Sequence, residues 1–197
     1  MEKLNISSSI LSGILIGIGV IINTFSSNKY VGAMLFSLAL LSIIELKLQL
    51  FTGKIGYCIN NKMKISSYIL ILLYNCIGII IPLFLFIISA DNYKDYINII
   101  INISNNKFNH SYIYLFINGI ICGILIFIAV YCKKTIITIF CIMTFILSGY
   151  EHCIADFPFL FFNFSFSNFI KYIFIIIGNS VGAIITNYLI IKAGDKQ

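Results

Sequence analysis

Arginine and tryptophan are missing from this chain, and only 10% of its 197 residues carry charge. Charge so sparse excludes an ordinary soluble domain, which needs a largely polar or charged surface. Without arginine, all thirteen basic residues are lysines, and against seven acids they leave a net charge of +6. In a soluble chain that balance would point to nucleic acid. In one this apolar, lysine position reports membrane topology instead, and no nucleic-acid partner is expected. The six cysteines form no C-x-x-C pair and are scattered through apolar runs, which reads as small core residues rather than metal ligands or disulfide halves. The pattern G-x-x-x-x-G-K-[ST] is absent, so nothing points to ATP-driven work. The triplet N-P-A is absent too, which argues against a water channel. Only two histidines occur, and of these just His152 lies within an apolar stretch.

What is present is hydrophobic: 60% of the residues are apolar or aromatic. A run of about twenty apolar residues suffices to cross roughly 30 Å of hydrocarbon. Six such runs occur, near 8–25, 30–51, 67–89, 112–131, 135–157 and 168–191. The first has no basic leader beyond Lys3 and no small-residue cleavage site after it, so it reads as a span rather than a signal peptide. The expected protein is all-α and polytopic, with residues 1–197 forming a single transmembrane domain in the lipid bilayer of the cell (plasma) membrane. With six spans and the N-terminus inside, the inner segments hold Lys3, Lys54, Lys62, Lys64, Lys133, Lys134, Lys192 and Lys196. The outer segments hold Lys29, Lys94, Lys107 and Lys171, so both termini are expected in the cytoplasm. The long polar stretch 91–110 reads as a connection between two halves, with Tyr96–Ile103 at the interface.

The halves share signatures. "GILIGI" from Gly13 and "GIICGI" from Gly119 both carry G-x-x-x-G, offset by 106 residues, and Asn75-x-x-Gly78 matches Asn179-x-x-Gly182, offset by 104. G-x-x-x-G ordinarily lets helices pack closely. Three spans per half is an odd number, so the expected architecture is an inverted 3+3 repeat, with repeat 1 about 1–92 and repeat 2 about 111–197. Such repeats place a substrate path where corresponding helices are broken. The second run is interrupted at Thr52-Gly53 within "LFTGKIGY", and the fifth at Gly149, just before Glu151 and His152. A charge at the centre of a spanning helix costs about 2.5–3.5 kcal/mol, so Glu151, His152 and Asp156 are not expected to face lipid.

"GYEHCIAD" (149–156) resembles the G-[FY]-E-H-S-[IV]-A-N signature of the formate/nitrite transporter family, whose members include formate, nitrite and hydrosulfide channels. "FSLALLSIIELKLQLFT" is similar to that family's second helix, with Phe36 fifteen residues before Phe51, and "GNSVGAI" from Gly178 is similar to its last-helix G-N-x-[IV]-G-G. The resemblance covers most of the chain. It implies six transmembrane helices in an aquaporin-like inverted repeat, with the second and fifth broken, assembled as a homopentamer with one pore per protomer. It implies that His152 lies at the pore centre opposite Thr52, donating a hydrogen bond or a proton to a small monovalent anion such as formate, nitrite, hydrosulfide or a short carboxylate. Glu151 would orient the broken-helix loop through backbone hydrogen bonds. Phe36, Phe51 and Phe145, with Leu50 beside them, would form apolar constrictions. No cofactor or metal is implied.

The chain departs from the signature at Asp156, where asparagine is expected, and at Cys153, where serine is; it is also short, with little connection between the fifth and sixth spans. Lys47 falls about 20° from Phe36 on a regular helical wheel, which leaves two alternatives: an anion-steering charge, or an ion pair with Asp156 or Glu151. Because Asp156 and Glu45 add negative charge, a pore for a neutral or cationic solute such as ammonia or urea is the competing function. An enzyme is not expected. Glu151 and His152 are adjacent and cannot point the same way on a regular helix, and His110 is in the polar connection.

Overall fold

The structure is a computed structural model that describes residues 2–60 and 63–194; Lys62 and Lys196, two lysines counted toward topology, lie outside the described residues. In chain order the helices are α1 (Ile6–Phe25), α2 (Lys29–Glu45), α3 (Phe51–Lys54, continued by a 3-10 turn Ile55–Asn60), α4 (Ile65–Ser89), α5 (Tyr93–Phe108), α6 (Tyr112–Cys132), α7 (Thr135–Leu147), α8 (Cys153–Phe162) and α9 (Phe166–Lys192). Helices α1, α4, α6 and α9 are each long and apolar enough to cross a membrane. Large apolar side chains such as Leu38, Ile69, Leu85, Ile88, Phe140 and Leu189 are exposed, as suits a surface solvated by lipid rather than water.

Side-chain caps set where several helices begin. Asn5 Oδ1 accepts from Ser8 N–H, Asn28 from Tyr30 and Val31, Ser111 from Tyr114, and Ser165 from Asn168. Each satisfies amides that the first turn leaves without a partner.

Two pairs of long helices repeat one packing scheme: α1 lies against α4, and α6 against α9. Glycine sets the separation. A Cβ on Gly13 would stand 2.1 Å from Asn75 O, and one on Gly78 2.1 Å from Ile10 O. In the second pair, Gly123 faces Asn179 O at 2.3 Å and Gly182 faces Ile120 O at 2.1 Å. Gly13 therefore corresponds to Gly123, an offset of 110, and the alignment of Gly13 with Gly119 was one helical turn out of register. The atoms in the way are backbone and cannot rotate aside. Gly13→Ala or Gly182→Ala is expected to force the pair apart and cost at least about 1–3 kcal/mol, read as a lowered unfolding temperature in detergent.

The stretches 30–51 and 135–157 are not continuous helices. α2 stops at Glu45 and α7 at Leu147, and both stop in the same way. Lys47 N–H bonds Ile44 O and Leu48 N–H bonds Ile43 O; Gly149 N–H bonds Ile146 O and Tyr150 N–H bonds Phe145 O. This is the Schellman cap, which requires a left-handed residue, and Lys47 (φ 54°) and Gly149 (φ 71°) supply it. The first interruption thus falls at 46–50, ahead of Thr52-Gly53, which instead lie inside the short helix α3. The same cap removes the premise of the wheel argument for Lys47: helix periodicity ends two residues before it.

The polar stretch 91–110 also differs from expectation. Most of it is a helix, α5, whose buried Ile100, Ser104 and Phe108 recur at every fourth residue and form one face. That face seats α5 against α4 and α8.

Candidate functional site

After each cap the chain runs extended for a few residues and restarts as a helix, leaving backbone groups buried without helical partners. One asparagine at each interruption supplies them. Asn75 Oδ1 accepts from Phe51 N–H at 2.8 Å, while its Nδ2 donates to Gln49 O and Ser9 O at 3.0 and 2.7 Å. Asn179 Oδ1 accepts from Cys153 N–H at 2.8 Å, and its Nδ2 donates to Glu151 O and Gly119 O, both at 2.8 Å. Both amides are completely buried. The Asn-x-x-Gly pair noted in the sequence therefore couples each interruption to a close helix crossing. The loop expected to be oriented by Glu151 is braced by Asn179, which bonds the Glu151 carbonyl.

With both restarts fixed, Thr52 Oγ1 and His152 Nε2 lie 2.9 Å apart. Ala155 N–H donates to His152 Nδ1 at 3.1 Å, making the histidine the N-cap of α8. A backbone amide can only donate, so Nδ1 accepts and the proton of the neutral ring sits on Nε2, which donates to Thr52 Oγ1. Thr52 is fully buried and His152 is 2% exposed. Phe145 stacks at a tilt 5.7 Å from the imidazole, and Phe36 meets Phe145 edge-on at 5.8 Å.

Two cavities lie near this pair, one walled by neighbours of Thr52 and the other by neighbours of His152, but neither Thr52 nor His152 lines either of them. One, of about 350 Å³, has Lys47, Leu50, Gly53, Lys54 and Lys133 in its wall. Glu2 also borders it and pairs with Lys54 at 2.6 Å. The other, of about 300 Å³, includes Phe36, Lys107, Phe145, Ala155 and Asp156. Phe36 and Phe145 thus face one cavity together, while Leu50 borders the other. Phe51 is buried and lines neither of these two cavities. Lys47 does not share a cavity with Phe36, contrary to the wheel.

Neither alternative partner proposed for Lys47 is available, because both acids are engaged elsewhere. Lys107 Nζ, from α5, bonds Glu151 Oε2 and stands 3.0 Å from Asp156 Oδ1. Burial works against the Lys107 ammonium, but the Asp156 and Glu151 charges outweigh it and push the group above the usual lysine range. Glu151, His152 and Asp156 do not converge: the histidine faces Thr52 and the acids face Lys107, so the three offer no common metal site. Sequence reasoning missed Lys107, filed as a lysine of the outer connection. The signal available was the fourfold stripe at 100, 104 and 108, which makes the connection a packed helix. Gln49 was missed as well. Its side chain accepts from Asn5 N–H and donates to Lys3 O, both at 2.8 Å, tying the first interruption to the chain's N-terminal segment.

The family model described as formate/nitrite transporter matches residues 3–193. The formate channel FocA of Haemophilus influenzae (strain ATCC 51907 / DSM 11121 / KW20 / Rd) is 29% identical over 150 residues, covering 65% of this chain and 51% of the relative. The chain therefore spans about half the length of that curated relative. A solved pentameric formate channel with formate bound is similar at a TM-score of 0.78 and 23% identity, over 95% of this chain and 96% of that one. A solved FNT family ion channel is similar at a TM-score of 0.75 and 19% identity, over 96% and 89% of the two chains. At those identities the two structures speak for the fold. A multi-pass membrane protein with four long apolar helices and a family match along nearly its whole length, the chain belongs to the formate/nitrite transporter family.

Proposed function

We propose that this protein is a channel for a small monovalent anion, with formate, nitrite, hydrosulfide and short carboxylates as the candidate solutes. The observation that carries this reading is the Thr52–His152 hydrogen bond, formed between two helix restarts, with a lysine-bearing cavity bordering Gly53 beside Thr52 and another bordering Phe145 and Ala155 near His152. On this reading α2 with α3, and α7 with α8, complete six spans in an inverted 3+3 repeat, with halves at about 1–92 and 111–197. Both termini are cytoplasmic, the membrane is the plasma membrane, and five copies assemble with one pore each. The likeness to the pentameric formate channel with formate bound supports the assembly and the solute class.

Chemically, the path offers a solute first a lysine, then an apolar neck at Phe36 and Phe145 or at Leu50, then the Nε2–H of His152. A neck lined by phenylalanine excludes water and with it the hydration shell of a free anion. The imidazole acts as a hydrogen-bond donor in this state. Passing a proton instead would require Nδ1 to release Ala155 N–H and leave that amide unsatisfied. Lys47, Lys54 and Lys133 give the other cavity a positive lining that concentrates anions, an effect that weakens as salt rises.

A neutral or cationic solute such as ammonia or urea is the competing reading, favoured by the two carboxylates that flank Lys107. Uptake by proteoliposomes of formate, nitrite, chloride and ammonium separates the two. Formate or nitrite uptake is expected, and His152→Phe should reduce it by about tenfold or more while the oligomer stays intact, since one lost hydrogen bond at the neck is worth about that factor. Ammonium uptake with no formate or nitrite uptake would overturn the reading.

A further inference from the structure

Left-handed backbone outside glycine occurs at two of the described residues, and both are lysines: Lys47 (φ 54°) and Lys133 (φ 52°). They close α2 and α6, and both line the same cavity of about 350 Å³. A residue with a Cβ loses at least as much in that conformation as an exposed positive charge gains from a helix C-terminus. Capping alone therefore favours glycine at both places, and glycine does stand at the matching bend, Gly149. What lysine adds at 47 and 133 is charge in this wall.

That charge is in surplus. Lys47, Lys54 and Lys133 bring three ammoniums and Glu2 one carboxylate, which leaves a net charge of +2. Lys54 occupies Glu2 at 2.6 Å, whereas neither Lys47 nor Lys133 has an acidic partner among the described residues, and both are exposed. Two uncompensated ammoniums on separate elements match a doubly charged anion better than a singly charged one. Size points the same way, because the volume lies at the lower end of the range for small-molecule sites and exceeds what a one-carbon anion fills. Lysine binds phosphate as a point charge, so three of them suit a phosphate group. Beyond Lys54 the wall turns apolar at Leu50, which is 1% exposed. A dianion drawn in here would have to shed its water to go further, so it stays.

We infer that this cavity is a binding site for a doubly charged phosphate group, held by Lys47 and Lys133 with Lys54 beside them. The ligand class is a phosphomonoester, either a small dissolved one or the headgroup of a lipid, reaching the cavity from the side on which Glu2 borders it. Seated against Gly53, it stands across the approach to Thr52 and blocks the passage of formate. The block rests on the channel reading above; the binding does not.

Calorimetric titration of the full chain in detergent with glycerol phosphate, a phosphomonoester that is mostly dianion above pH 7, tests the binding. Saturable binding is expected, with formate at least about tenfold weaker because it carries half the charge. Lys47→Gly and Lys133→Gly should each weaken the ester about fivefold, the yield of one partly exposed ion pair. Glycine suits both bends, so lost binding in these variants is not lost folding. Lys29→Gln, at the opposite end of α2, should bind as the wild type does. Formate uptake into phosphatidylcholine vesicles, with and without phosphatidate, separates the two sources. A dissolved ligand predicts that glycerol phosphate on both faces cuts uptake about fivefold in either membrane. A lipid headgroup predicts that phosphatidate alone does so and glycerol phosphate adds little. The double variant Lys47→Gly, Lys133→Gly should lose either block, measured against its own uptake without ester. Glycerol phosphate that does not bind the folded wild type overturns the inference, and so does binding undiminished in the double variant. Uptake unslowed by bound ester or by phosphatidate removes the block. Binding without formate or nitrite uptake would leave this site standing and remove the channel reading.

Discussion

Replacing Lys107 with methionine is expected to destabilise the folded protein by about 3–5 kcal/mol, one of the two largest effects foreseen for any single substitution here. The unbranched stem is kept, while the ammonium that stands 5.8 Å from the centroid of the Phe159 ring goes with its charge, so the loss is electrostatic. Two carboxylates would be left facing each other with their common cation gone. Such sites fail because desolvated charge has no compensation, and they recover when the charge is removed rather than restored. The triple change Lys107→Met, Glu151→Gln, Asp156→Asn should therefore regain most of the stability lost in the single variant. Thermal unfolding in detergent, followed as loss of the folded protein on size exclusion, measures both. A triple variant as unstable as the single one would show that Lys107 matters for its length and not its charge.

Asn179→Ala is expected to be comparably severe. It would orphan Cys153 N–H and Glu151 O together and strip from Gly119 O the bond it accepts beyond its helical one. Each buried, unpaired polar group costs about 1–3 kcal/mol, so the total is at least about 2 kcal/mol. Asn75→Ala removes the matching bonds to Phe51, Gln49 and Ser9 and should cost a similar amount. The damage should be regional. Hydrogen exchange should speed up at Cys153 in the first variant and at Phe51 in the second, each with little change at the other interruption. Aspartate is not a substitute, since it keeps the acceptor and loses both donors. Equal exchange at both interruptions of either variant would contradict the independence of the two braces.

Apolar run length is what made the helices readable, because a membrane leaves few ways to satisfy a backbone. The runs near 8–25, 67–89, 112–131 and 168–191 coincide with α1, α4, α6 and α9 to within a few residues. The asparagine pair was readable as a repeat, though its task was not: a side chain that serves main-chain atoms elsewhere leaves no mark of its partners in its own neighbourhood. Lys107 escaped for a related reason. Its helix has mixed polarity, and a stripe of Ile100, Ser104 and Phe108 looks weak when serine is one of its three members. Lys47 was misplaced because a helical wheel presumes φ near −60°, and a lysine at φ 54° gives no warning in the residue name.

The paired helix ends have one more implication. One is closed by a glycine and the other by a lysine, in the same left-handed bend. A side chain introduced at 149 would meet open space yet strain the main chain by about 1 kcal/mol, whereas glycine at 47 would relax that strain by a similar amount. Optimising heat tolerance alone would thus convert position 47 to glycine and, in doing so, strip an ammonium from the wall it occupies. Engineers seeking a sturdier version should expect that gain to come with altered permeation, which makes 47 a place where robustness and throughput trade against each other.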